Sequence, residues 1–133
     1  MTEAQELIRQ AVIARADAYA PYSGFKVGAA LLTEDGKVYT GCNIENAAYS
    51  PSLCAERCAF AKAVSSGERQ FKAIAIAGAP EDEEALKPCY PCGVCRQVMQ
   101  EFCDPGQFRI ILRDGGDIIE YRLCELLPAG FTL

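Results

Sequence analysis

The sequence predicts an α/β protein of three layers, with one mixed five-stranded sheet between helices on both faces. Two observations carry that expectation. Segments with helical apolar spacing and segments with strand-like patterning follow one another in the order helix, hairpin, helix, strand, helix, strand, strand, which a layered α/β architecture accommodates. Ala73-Ile74-Ala75-Ile76-Ala77 is an unbroken apolar run, the mark of a strand covered on both faces. At 133 residues the chain can close one core but not two, so residues 1–133 are expected to form a single domain.

Each element has its own signals. Thr2 and Gln5 make a capping box, and Leu7, Ile8, Ala11, Val12 and Tyr19 follow at helical spacing until Pro21-Tyr22-Ser23-Gly24 stops the helix. Phe25 to Leu32 and Lys37 to Cys42 read as two strands around a turn at Asp35-Gly36. A polar, Asn-rich loop covers Asn43 to Ser52, and Leu53 to Ser66 is helical, stopped by Gly67. Gly93 to Phe102 is a second core helix and Phe108 to Leu112 a further strand. Asp114-Gly115-Gly116-Asp117 turns into the strand Ile118 to Arg122, and a short helix from Leu123 to Leu127 stops at Pro128.

Composition narrows the functional class. Half the residues are hydrophobic and 23% are charged, which suits a globular domain. No apolar run approaches the ~18 residues of a membrane span, and the N-terminus lacks the basic-then-apolar pattern of an export signal, so a cytoplasmic protein without a membrane partner is expected. The net charge of -5, with no basic block, disfavours nucleic acid as a partner, because that binding draws on Lys and Arg neutralising phosphates. The eight cysteines are unevenly spaced, and in a cytoplasmic chain they point to metal chemistry and small buried hydrophobes rather than to disulfides. There is no histidine, so Ser-His and Cys-His machinery and imidazole metal ligands are excluded.

The remaining chemistry concentrates in two helix starts. Cys92 and Cys95 lie three apart at the opening of one helix, and Cys54-Ala55-Glu56 opens another. Three thiolates with a fourth position left for water is the layout of a catalytic zinc site. Residues two apart diverge by roughly 200° around a helix, so Cys54 and Glu56 can both reach one ion only if it lies off the helix end. Two helix N-termini would then aim their positive ends at the metal. Zn²⁺ with three thiolates carries a net negative charge, which disfavours ionising a bound water, and Arg57 stands beside Glu56 to offset it. Cys89-x-x-Cys92-x-x-Cys95 with Cys54 also permits a closed four-cysteine structural zinc. An iron–sulfur pattern fails because position 99 is methionine. The Cys54-Ala55-Glu56 triplet, 38 residues upstream of Pro91-Cys92-x-x-Cys95, favours the catalytic form, in which a glutamate that is not a ligand shuttles protons.

Five stretches extend these motifs: Ala20-Pro21-Tyr22-Ser23, Gly41 to Tyr49, Cys54-Ala55-Glu56-Arg57, Pro91-Cys92-Gly93-Val94-Cys95-Arg96-Gln97, and Leu126-Leu127-Pro128. Together they resemble the small, homotetrameric, zinc-dependent cytidine deaminases over nearly the whole chain. The resemblance implies one Zn²⁺ per chain on Cys54, Cys92 and Cys95, with Glu56 carrying a proton from the attacking water to the pyrimidine ring N3. It implies a nucleoside substrate, cytidine or 2′-deoxycytidine, converted to the uridine form with release of ammonia. Asn43 and Glu45 match positions that grip the ribose hydroxyls, and Ala55 matches a backbone contact to the base. Phe25 and Phe131 match aromatics flanking the base, the latter from a neighbouring subunit, and Tyr49 matches a residue contributed across a subunit contact. Taken alone, Phe25 reads as the start of an apolar strand, Asn43 and Glu45 as a solvated loop edge, and Tyr49 and Phe131 as packing residues. The chain departs from the family pattern at Cys58, where a small polar residue is expected, and at Cys89-Tyr90, which stand in place of Val-Ser. Three rivals are a blasticidin-type deaminase, against which the Asn43-x-Glu45 pair argues, a nucleic-acid editing deaminase, weakened by the net charge and the lack of room for a binding module, and a non-catalytic zinc domain, which leaves Glu56 without a purpose.

Overall fold

The computed structural model describes all 133 residues. Its elements, in chain order, are α1 (Glu3–Ala14), β1 (Phe25–Thr33), β2 (Val38–Cys42), α2 (Ala55–Ser65), β3 (Phe71–Pro80), α3 (Gly93–Phe102), β4 (Arg109–Asp114), β5 (Asp117–Arg122) and α4 (Leu123–Leu126). The sheet order is β2-β1-β3-β4-β5. β1 runs antiparallel to both β2 and β3, β3 and β4 are parallel, and β4 and β5 are antiparallel, so the sheet is mixed as expected.

The two faces of the sheet are built differently, and the difference is legible in β3. Its even positions, Ile74 and Ile76, pack with Leu31, Ile110, Leu112, Phe60 and Met99 beneath α2 and α3. Its odd positions, Ala73, Ala75, Ala77 and Ala79, face Leu7, Ile8 and Ala11 of α1. The alanine stripe lets α1 lie close on the sheet, and at Gly28 an added Cβ would collide with the Ala11 carbonyl oxygen. On the other face Phe60 anchors the core, its ring 5.2 Å from that of Phe71 in an edge-on arrangement. Burying such a side chain contributes roughly 1.5–3 kcal/mol.

Two expected boundaries differ from those observed. The Thr2–Gln5 capping box starts α1 as anticipated, but the helix stops at Ala14, tightens into a 3₁₀ turn at Arg15–Asp17, and Tyr19 is off it. The reason is a competing partner: the Tyr19 N–H donates to the Asn43 carbonyl (2.9 Å), and Glu45 N–H donates back to the Tyr19 carbonyl (2.9 Å). Leu53 likewise sits outside α2, exchanging backbone hydrogen bonds with Ile44. Both corrections serve one end. The loop from Asn43 to Leu53 is held on both sides by backbone pairing instead of lying free. Gly36 and Gly67 end β1 and α2 at positive φ (+91° and +98°), the conformations their sequence positions suggested.

A candidate zinc-centred active site

α2 and α3 begin side by side at one end of the sheet. Gly41 on β2 permits this: a Cβ there would fall 2.5 Å from the Ala55 carbonyl oxygen and 2.6 Å from the Ala59 nitrogen. Cys54 and Cys92 are the N-cap residues of α2 and α3, both in extended conformation, and neither sulfur is used to cap its helix. Cys95 lies in the first turn of α3, fully buried. The Cys54 and Cys92 Sγ atoms are 3.9 Å apart, those of Cys92 and Cys95 3.6 Å, and all three lie within 4.8 Å of one another.

These sulfurs fit zinc. A tetrahedral ion with Zn–S bonds of ~2.3 Å sets its thiolates about 3.8 Å apart, which two of the pairs already match. Cys89 does not join the cluster. Its sulfur packs against Gly78, where an added Cβ would come within 2.7 Å, away from the three clustered thiols. The closed four-cysteine arrangement is therefore not built. Cys89→Ser is expected to retain one zinc per chain by metal analysis, and loss of the metal would restore the four-cysteine reading.

Electrostatics around the cluster follow the charge argument made from the sequence. The Arg57 guanidinium donates through Nη2 to Cys54 Sγ (3.4 Å) and to the Ser52 carbonyl (3.2 Å), and its Nε is buried without a partner. Hydrogen bonding from Cys95, with Arg57 beside it, holds the Cys54 thiol down to about 5, so Cys54 carries a thiolate. Glu56 is one of the two buried polar or charged side chains, at 5% exposure. Desolvation pushes its carboxyl up to about 7, with the Cys54 thiolate adding to the effect. A carboxyl so placed exchanges a proton near neutrality.

The cluster opens on a cavity of about 490 Å³, a size suited to a small molecule. Cys54 and Cys92 line it while Cys95 lies behind, and Ala55, Glu56 and Arg57 share that wall. Asn43, Glu45 and Tyr49 line it too, as does Val27. The Asn43 amide is committed to β1: its Oδ1 accepts from Val27 N–H (2.8 Å) and its Nδ2 donates to the Phe25 carbonyl (2.9 Å). That fixes which way the amide points. Glu45 accepts from the backbone N–H groups of Tyr22 (3.0 Å) and Ser23 (3.1 Å) and from the Ser23 hydroxyl. These donors hold its carboxyl below the usual range, so it is an ionised acceptor at neutral pH. Tyr49 adopts positive φ (+61°) and is 79% exposed at the rim of its own chain's cavity.

Two sequence candidates stand apart. Phe25 opens β1 and packs its ring over Gly78 instead of lining the cavity. Phe131 does not line it either, and its ring is 66% exposed near the C-terminus. Conversely, Tyr22, Ser23, Cys89 and Tyr90 line the cavity without having been chosen as site residues. Pro21-Tyr22-Ser23-Gly24 was legible as a helix stop and as part of a family-like stretch, but no local pattern announces that its N–H groups will face a carboxylate 22 residues on.

Comparison with known proteins agrees with this site. Residues 1–108 match the family model described as the cytidine and deoxycytidylate deaminase zinc-binding region. A cytidine deaminase of Sporosarcina psychrophila is 50% identical over 130 residues, covering 98% of this chain and 92% of that protein. A cytidine deaminase of Halalkalibacterium halodurans is 50% identical over 129 residues, covering 96% and 93%. The crystal structure of cytidine deaminase from Burkholderia pseudomallei superposes with a TM-score of 0.86 at 48% identity, covering 98% of this chain and all of that one. With a thiolate trio at two helix N-termini, a buried glutamate beside it and these relatives, the chain belongs to the cytidine and deoxycytidylate deaminase zinc-binding family.

Proposed function

We propose that this single-domain chain deaminates cytidine and 2′-deoxycytidine by hydrolysis, releasing ammonia and the corresponding uridine. The observation that carries the reading is Glu56, buried at the first turn of α2 beside a three-thiolate cluster, on the wall of a nucleoside-sized cavity. Cys54, Cys92 and Cys95 would hold zinc, which when bound would supply a Lewis acid able to make water a nucleophile at neutral pH.

The chain's own residues do the rest. Glu56 accepts one proton of the attacking water and delivers it to ring N3. It then takes the remaining proton of the hydroxyl added at C4 and delivers it to the amine, so that the C4 carbonyl forms as the C4–N bond breaks and ammonia leaves. Arg57 offsets thiolate charge, which keeps the water acidic enough to be used. Glu45, ionised and braced by Tyr22 and Ser23, accepts from sugar hydroxyls, and Asn43 stands beside it. Ala55 offers its backbone to the base edge from the same wall. A blasticidin-type substrate has no evident use for this carboxylate aimed at a diol. The direct test is loss of cytidine absorbance with matching ammonia release, abolished by a strong chelator and restored by zinc. A metal-loaded chain that leaves cytidine untouched would overturn the reading.

Ribose recognition has its own expected result. Glu45→Ala is expected to raise KM for cytidine by about 10- to 100-fold, since it leaves hydroxyls in the cavity without a charged acceptor. Equal kcat/KM of the parent on free cytosine and cytidine would contradict the role.

The same reading extends to assembly and place. The chain is proposed to act in the cytoplasm as a homotetramer, each cavity completed by Phe131 of a neighbouring subunit with Tyr49 at the contact. Supporting it, Tyr49 and Phe131, the two residues assigned to the subunit contact, are both exposed. Native mass spectrometry is expected to read four chains, and a monomer at micromolar concentration would refute it.

A further inference from the structure

α3 carries the metal ligands at its first turn, yet another of its faces makes a separate set of contacts. At about 100° per residue, Arg96, Gln97 and Gln100 cluster on the side opposite Cys95 and Met99. Arg96 meets the end of α4, and Gln97 and Gln100 meet the segment that follows it. Arg96 Nη1 donates to the Leu126 carbonyl (2.6 Å) while its Nε donates to the Pro91 carbonyl (2.8 Å). Gln97 Nε2 donates to the carbonyl of Phe131 itself (3.2 Å). Gly130 lies flat on Gln100, where an added Cβ would come within 2.7 Å of its Oε1 and 3.1 Å of Leu127 Cδ2. Ala129 turns the chain at positive φ (+57°), bringing residues 130 and 131 back onto the helix. The tail is thus held against α3 at residues 130 and 131, beside the Arg96 bond to the end of α4, and Phe131 is 66% exposed.

We propose that the outer face of α3 is a cradle that presents Phe131, with Gln97 and Gly130 as positioning residues for substrate binding in the neighbouring cavity. This rests on the shared-site reading above and deepens it: an aromatic wall supplied by another chain is useful only if its ring is held in one place. Without the cradle, a segment at the end of the chain would fray. The Arg96 bridge ties Leu126, the last residue of α4, to the carbonyl just before Cys92, so α3 links its own metal ligands to the helix from which the tail departs.

Steady-state kinetics on zinc-loaded, tetrameric protein tests this. Gln97→Glu keeps the side-chain length but removes the donor, and Gly130→Ala sets a methyl against the ends of the Gln100 and Leu127 side chains, crowding the tail where it rests on α3. Each is expected to raise KM for cytidine by about 3- to 10-fold, with kcat within about twofold and zinc content unchanged. Phe131→Ala is expected to raise KM at least as much. In the Phe131→Ala background, Gln97→Glu should add nothing further, because there is no ring left to aim. A Phe131→Ala chain with parental KM overturns the shared site and the cradle together. A raised KM for Phe131→Ala with parental KM for Gln97→Glu and Gly130→Ala overturns the cradle alone. Effects of Gln97→Glu that persist undiminished without Phe131, or that come with loss of zinc, assign Gln97 a merely structural part and refute it.

Discussion

Glu56→Gln is expected to keep one zinc per chain and the parental fold while lowering kcat by about 10²- to 10⁴-fold, the range general acid–base catalysis contributes. The substitution is nearly isosteric, which matters because Glu56 is buried at 5% exposure against the α2 start and a smaller residue would leave a void. Glutamine keeps a carbonyl acceptor and an amide donor but cannot take up and release a proton. With no histidine in the chain, the neighbouring thiolates committed to the metal and Glu45 bonded to Tyr22 and Ser23, no free group beside the cluster stands ready to replace it. Because the proton relay acts on a reaction already bound, KM is expected to change far less than kcat. Metal analysis, circular dichroism and single-turnover assays check it together. A variant with full zinc and near-parental kcat would remove Glu56 from the mechanism.

That Glu56 and the three cysteines could be singled out from local spacing, while Phe25 was singled out by resemblance alone and Ser23 not at all, has a physical reason. Metal ligation restricts residue type and spacing so tightly that Cys54-x-Glu56 and Cys92-x-x-Cys95 carry their chemistry locally. Each pair sits at one helix start, and helix geometry alone says what it can reach. The layer order was legible for a similar reason, since the alternation of Ile and Ala in β3 already encodes one deep face and one close-packed face. Long-range backbone pairing left no such trace. Tyr19 sits at helical spacing from Val12, yet the Asn43 carbonyl takes its N–H and ends the helix early. Glu45 reads as loop polarity until the chain from Tyr22 to Ser23 folds over it. Phe25 was placed against the base by resemblance, but within one chain its ring rests over Gly78. Contacts of this kind depend on where two distant segments meet, and neither segment announces the other.

Gly41 is the sharpest instance, and it yields the second large effect. In the sequence it is one letter of a matching stretch and nothing in its neighbourhood requires a glycine: it is not a turn residue and its φ is not positive. In the fold it is the point where β2 touches the first turn of α2. A Cβ would stand 2.5 Å from Ala55 O, 2.6 Å from Ala59 N and 2.9 Å from Cys58 Cβ. Two of those atoms are backbone, so no rotamer change relieves the clash, and the helix start must move by roughly 1 Å to regain ordinary contact. That helix start carries Cys54 and Glu56, while their partners Cys92 and Cys95 belong to α3 and stay behind. Metal–ligand distances tolerate only about 0.2 Å, so the displacement falls directly on zinc. Gly41→Ala is therefore expected to cost about 1–3 kcal/mol of stability and to weaken zinc binding by about 10- to 100-fold, the loss seen when groups that orient ligands are removed. Thermal melting and a competition titration against a chromophoric chelator read the two effects separately. Ala30→Gly, buried on β1 beneath α1, controls for a mere loss of core stability: it is expected to lower Tm while zinc affinity stays within about twofold. If Gly41→Ala melts and binds zinc like the parent, β2 does not set the position of Cys54, and the contact of Gly41 with α2 has no bearing on the metal site.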